Sequence, residues 1–137
     1  GDPRYDADEL WSTMGYLYQG GAWFKKRAYI TGFSDSHQPD DASTDLRNTY
    51  KRLLKAVSNT LPATTEMDQY FYLPLLGYYS TTSNNYKFNA AGVTGYYWSS
   101  SAIPTNPTGS YALTINKNTA TLQDSAPTSG MIVRPFE

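Results

Sequence analysis

Apolar residues recur along this chain in two rhythms, and the rhythm changes near Pro62. From Asp6 to Tyr18, the positions Leu10, Met14, Leu17 and Tyr18 fall at helical spacing, with Asp6, Asp8 and Glu9 in the first turn. That pattern predicts a helix, stopped by Gly20-Gly21. A second helix is predicted around Leu46 to Val57. There Leu46, Tyr50, Leu53, Leu54 and Val57 form an apolar stripe opposite Arg47, Lys51, Arg52 and Lys55, and Ser43, Thr44 or Asp45 can cap the N-terminus. Between the two helices, Ala22 to Phe33 mixes aromatic and basic residues and suits one or two short strands, with Lys25-Lys26-Arg27 as a solvated edge. Beyond Pro62, Tyr70 to Tyr79 is apolar but interrupted by Pro74 and Gly77, which marks a buried irregular stretch or an edge strand.

The last third changes to short clusters of β-branched and aromatic residues bounded by Gly, Pro, Asn and Ser. Three of them, Gly95–Ser101, Tyr111–Ile115 and Gly130–Phe136, read as strands of one sheet. Asn116-Lys117-Asn118 suits a tight reversal that joins Tyr111–Ile115 to Thr119–Leu122 as a hairpin. Two helices followed by a cluster of antiparallel strands predict an α+β layout.

With 137 residues the chain has the length of one domain, and it holds no cysteine, which removes disulfides, thiol catalysis and thiolate metal sites. A net charge of -1 leaves no basic surplus for phosphates, so no nucleic-acid partner is expected. No apolar run reaches the roughly 20 residues of a membrane span, so no insertion by this domain is expected. Thirteen Tyr, three Trp and five Phe supply apolar faces with polar tips, suited to half-buried strands and to contact surfaces. The opening Gly1-Asp2-Pro3 lacks an initiator Met, so a processed or excised part of a longer protein is expected.

Candidate chemistry is sparse. His37 is the only histidine, and no serine near it stands in a nucleophile elbow. Ser99-Ser100-Ser101 fits close strand approach better than catalysis. Gln38-Pro39-Asp40 matches a tripeptide of calcium-dependent lectins, but it precedes the second predicted helix, and no Trp-Asn-Asp strand follows it. It reads as a capping turn, and neither a metal nor a cofactor is expected.

The order Leu73-Pro74-x-x-Gly77-Tyr78-Tyr79, Gly95-Tyr96-Tyr97-Trp98-Ser99-Ser100, Tyr111-x-Leu113 and Gly130-x-x-Val133-Arg134-Pro135 resembles the Fibrobacter-type major paralogous domain. That module belongs to surface and fimbrillin-like proteins of Bacteroidetes-like bacteria. The resemblance covers about the last half of the chain and implies a single C-type-lectin-like domain, related to the formylglycine-generating-enzyme fold. It implies structural roles for Trp98 and Arg134 and a ligand surface on loops of the C-terminal half. On those loops Asn84, Asn85, Tyr86, Asn106 and Asp124 are the candidate contacts, suited to sugar hydroxyls, ring stacking or a protein rim. The expected function is an extracellular adhesion or ligand-binding module on a Gram-negative cell surface, with a glycan or a surface protein as partner. A structural subunit of a surface fibre that binds a sister subunit ranks second. A hydrolase built on His37 ranks third and requires a Ser or carboxylate within reach of that ring in a pocket.

Overall fold

The computed structural model describes residues 1–38, 41–80 and 87–125. Over them the chain is built of strands: β1 (Arg4–Thr13), β2 (Tyr16–Lys25), β3 (His37–Gln38), β4 (Asp41–Asp45), β5 (Leu53–Ala56), β6 (Tyr70–Pro74), β7 (Tyr78–Ser80), β8 (Lys87–Asn89), β9 (Gly95–Ile103), β10 (Asn106–Ile115) and β11 (Thr119–Ser125). Among the described residues the only helical pieces are short 3-10 turns at Arg27–Tyr29 and Thr64–Gln69. The expected α+β, C-type-lectin-like layout with two helices is therefore replaced by a nearly all-β fold.

Both predicted helices fail for a physical reason. In the first, Met14 and Gly15 take positive φ, 50° and 79°, and close a tight hairpin. Trp11 then faces Tyr18 across the β1–β2 ladder, and the two rings stack at 4.9 Å. The residues of the helical stripe, Leu10, Met14 and Leu17, stay exposed, so their spacing served no buried face. In the second, the stripe is divided among separate contacts. Tyr50 stacks on Tyr111, Leu53 joins the ladder opposite Leu122, and Val57 is buried in the core. Tertiary partners supplied by β10 and β11 outweighed local helix propensity.

The strand readings fare better. Gly95–Ser101 and Tyr111–Ile115 fall within β9 and β10, while Gly130–Phe136 and Arg134 lie outside the described residues. The predicted hairpin of β10 and β11 forms in register from Tyr111↔Asp124 to Ile115↔Ala120. Its turn is held by the Asn116 side-chain oxygen, which accepts from the Asn118 and Thr119 amides, both at 2.9 Å.

A three-stranded antiparallel sheet, β1-β2-β6, and a four-stranded one, β5-β11-β10-β9, enclose the core. Period-2 alternation turns Ala22, Phe24 and Leu73 of the first sheet inward, where they meet Tyr97, Ile115 and Ala120 of the second. Tyr97 is fully buried, and its hydroxyl donates to the Pro74 carbonyl, joining the two sheets. Next to this joint Gly77 pairs with Gly95. Gly77 has φ 69°, and a Cβ there would stand 2.1 Å from the Asn89 carbonyl oxygen.

The outer face of the three-stranded sheet contains one buried carboxylate. Asp6 accepts from the Trp23 indole at 2.9 Å and from the Asp8 and Glu9 amides at 3.0 and 3.1 Å. Those two amides belong to the bulge that shifts the β1–β2 register between Asp6 and Leu10. Asp6→Ala removes the shared acceptor of three part-buried donors and should cost about 1–3 kcal/mol of folding stability. Asp6→Asn, which keeps one acceptor oxygen, should cost less. Urea denaturation of the two variants checks the order, and a loss below about 0.5 kcal/mol for the alanine variant would refute the bulge-clamping role.

Candidate functional site

The four-stranded sheet is wider than the three-stranded sheet that covers it. Leu53, Leu122, Leu113 and Tyr97 follow one another across neighbouring strands in register, so their side chains share one face. Tyr97 lies under the other sheet, whereas Leu53, Leu113 and Leu122 are only half-buried. Together with Phe24 they line a cavity of about 350 Å³. Its lining is almost entirely apolar, and its volume is within the roughly 300–1,000 Å³ of small-molecule sites.

Two further cavities continue this one into a trough. At one end a cavity of about 290 Å³ shares Ser99 and Leu122 with it and adds Ser101, Tyr111, Asp35 and Arg47. Ser99 and Ser101 border it where β9 bulges, the three residues between Trp98 and Ala102 opposing the single Tyr111 between Ala112 and Ser110. At the other end a cavity of about 550 Å³ shares Pro3 and Lys55 and adds Lys25 and Tyr29.

Carboxylates fix the wall formed by the 41–50 segment. The residues expected to cap a helix act instead around Asp41, which accepts the Ser43 hydroxyl at 2.6 Å, the Thr44 hydroxyl at 2.7 Å and the Lys51 ammonium at 2.7 Å. These donors, Lys51 foremost, hold the Asp41 carboxyl well below the usual carboxylate range. Asp45 takes the Arg47 guanidinium through two nitrogens, at 3.0 and 2.7 Å, and that pairing lowers its pKa to about 2. At the floor, burial raises the Tyr111 pKa.

The candidate residues from the sequence distribute unevenly. Asn84, Asn85 and Tyr86 lie outside the described residues, as does Arg134. Asn106 and Asp124 are brought together, with the Asn106 amide 3.5 Å from the Asp124 carboxylate. They meet above Gly109, where a Cβ would stand 2.5 Å from the Asp124 oxygen. The Asn106 oxygen is engaged by the Thr108 hydroxyl at 2.8 Å and by its amide at 3.1 Å, so much of this polarity serves the turn. Trp98 is half-buried and borders the trough. His37 meets the Ser36 hydroxyl at 2.8 Å and the Ser34 hydroxyl at 3.3 Å, all within one exposed turn, and none of the three lines the trough. Pro39 and Asp40 of the tripeptide lie outside the described residues. Among the described residues no cluster of three metal-ligating side chains occurs.

Sequence reasoning gave Leu53 and Lys55 to a helix, Lys25 to a solvated edge and Leu113 to a strand motif, and assigned none of them, nor Leu122, to a site. A partial signal was present, because Tyr111, Leu113 and Ile115 alternate along a predicted strand and must share a face.

The family described as a domain of unknown function (DUF8237) matches residues 61–136, more than half of the chain. No curated protein and no solved structure matches. The matched segment includes β9, β10 and β11, which form most of the trough floor.

A depressed carboxylate pKa adds stability that is present above the unfolded value and lost as pH falls through the folded one. For Asp45 the contribution should fade between about pH 4 and about pH 2. Urea midpoints across that window should therefore fall more steeply for the wild type than for Asp45→Asn, and equal slopes would show that the Arg47 pairing adds nothing to the fold.

Proposed function

The chain belongs to the family described as a domain of unknown function (DUF8237), and from that premise we propose that it is a non-catalytic binding module whose ligand lies in the trough across the four-stranded sheet. The observation that carries this reading is the half-buried row Leu53, Leu122 and Leu113, an apolar floor left partly open beside a closed core. Exposed apolar floors of this kind mark ligand grooves and contact surfaces. Serine hydroxyls at one end and ammonium groups at the other supply the few polar anchors that orient a ligand. Such a floor favours an apolar ligand body over a sugar ring, while a glycan would address the separate turn at Asn106 and Asp124. The extracellular surface location belongs to the same proposal. It rests on the motif order from Leu73 to Pro135, and immunodetection on intact cells tests it.

Filling the trough should abolish binding and spare the fold. A thermal-shift screen of small apolar compounds should raise the melting temperature of the wild type, since a ligand at a hundredfold excess over Kd stabilises by about 2.7 kcal/mol. Leu53→Trp, whose indole would occupy the cavity, should lose that shift. No shift with any compound, or equal shifts in both proteins, would remove the trough from consideration.

One observation favours the second reading, a structural subunit that docks on a sister. The β1–β2 hairpin carries Leu10, Met14, Tyr16 and Leu17, each 59–69% exposed, and the Met14 sulfur receives the Tyr79 hydroxyl at 2.9 Å. Sedimentation velocity decides it: self-association that disappears in Leu10→Lys/Leu17→Lys supports docking through the hairpin, and a monomer at all concentrations excludes a homotypic form.

A further inference from the structure

Two hydroxyls of the Ser99-Ser100-Ser101 run border the trough, and they identify a ligand class. Ser99 and Leu122 line both the apolar cavity and the cavity of about 290 Å³ beyond it, and Ser101 lines the second. The floor is continuous between the two, because Tyr111 stands two residues before Leu113 on β10 and strand alternation gives both side chains the same face. Tyr111 is buried there, its ring stacked on Tyr50 at 5.8 Å. An apolar chain laid over Leu53, Leu113 and Leu122 therefore arrives at Ser99.

Both hydroxyls have hydrogen-bonding capacity to spare. The Ser99 oxygen accepts the Ser101 amide at 3.1 Å, which leaves its own proton without an acceptor among the described residues. The Ser101 hydroxyl has no hydrogen-bond partner among the described residues. The charges around them are already paired. Asp45 holds the Arg47 guanidinium at 2.7 Å, and Asp35 lies 3.7 Å from Arg27. The groups at the other end are engaged too: Asp2 accepts two guanidinium nitrogens of Arg4, both at 3.0 Å, the Lys25 ammonium stands 5.6 Å from the centre of the Tyr70 ring, and Lys55 has a partner of its own. An ionic head would compete with these contacts, whereas an uncharged head with an acceptor oxygen takes up only what is unused.

We propose that the trough binds a neutral amphiphile, with an apolar body over Leu53, Leu113 and Leu122 and an uncharged oxygen-bearing head, an alcohol or a carbonyl, at the Ser99 and Ser101 hydroxyls. This assignment rests on the trough being the ligand site. It adds the orientation and the charge state of the ligand, because the serine end joins an apolar approach to donors that the fold leaves unused.

Decanol, decanoate, decyltrimethylammonium and the headless butylbenzene, each below its solubility or micellar limit, test the assignment. Binding at neutral pH is followed by calorimetry and by the tryptophan emission to which Trp98 contributes. Decanol should bind more tightly than either ion. Ser99→Ala/Ser101→Ala should weaken decanol about tenfold, as the loss of two neutral hydrogen bonds implies, and leave butylbenzene unchanged. Ser101→Ala alone, which keeps the bond from the residue 101 amide to Ser99, should weaken decanol about threefold. Decanol affinity unchanged in both serine variants, or an equal loss for butylbenzene, would overturn the placement of the head. Tighter binding of decanoate or decyltrimethylammonium than of decanol would overturn the neutral class and leave the trough as the site. If no compound binds, or if Leu53→Trp binds them as well as the wild type, the trough reading falls together with its ligand class. Far-UV circular dichroism and urea midpoints matching the wild type establish that each variant is folded.

Discussion

Tyr97 is the point at which the two sheets become one structure. Its ring fills the interface with no exposed surface, and its hydroxyl satisfies the Pro74 carbonyl at the end of β6. The same carbonyl accepts the Leu76 amide at 2.9 Å, so the hydroxyl is a second donor to one buried oxygen, and ring and hydroxyl act together at the joint. The surrounding backbone adapts to the ring. Gly95 would place a Cβ 3.0 Å from the Tyr97 ring and 3.1 Å from the Pro74 oxygen, and Gly77 leaves no space for any side chain against Asn89. The β6–β7 segment can run close to the start of β9 because both contact positions are glycine.

The joint also explains the open floor. Tyr97 fixes where the three-stranded sheet sits, over the β9 end of the row that Leu113, Leu122 and Leu53 continue toward β5. Three strands cannot cover four. The remainder is covered in part by Asp35, Leu46 and Arg47 and by the N-terminal residues. The trough is thus a geometric result of pairing sheets of unequal width, and its polarity comes from whichever residues the flanking segments bring to its ends.

What the sequence made legible was local. The β10–β11 hairpin was readable because Asn116 forms its own turn, whereas Asn106 and Asp124, expected on loops, stand within β10 and β11, 3.5 Å apart. The helices were misread because the deciding contacts are distant in sequence: Tyr50 meets Tyr111, and Leu53 meets Leu122. Between Trp11 and Tyr18 the separation of seven residues suits two helical turns as well as a tight hairpin, and only the left-handed torsion angles at Met14 and Gly15 distinguish them. The trough was illegible for the same reason, since its floor draws on β5, β10 and β11, and its mouth takes Lys25 from β2.

The bulges that clamp β1 and re-aim β9 have a consequence for how this protein can be touched. Both are outermost strands, β1 with its register break between Asp6 and Leu10 and β9 with its break between Trp98 and Ala102. The remaining rims are β5, with four residues, and β6, which ends at Pro74. Among the described residues no rim of either sheet offers a long straight ladder of unpaired amides and carbonyls, a geometry that disfavours the addition of an incoming strand. Edges of this shape favour contact through side chains over the addition of strands, a second copy of the chain included.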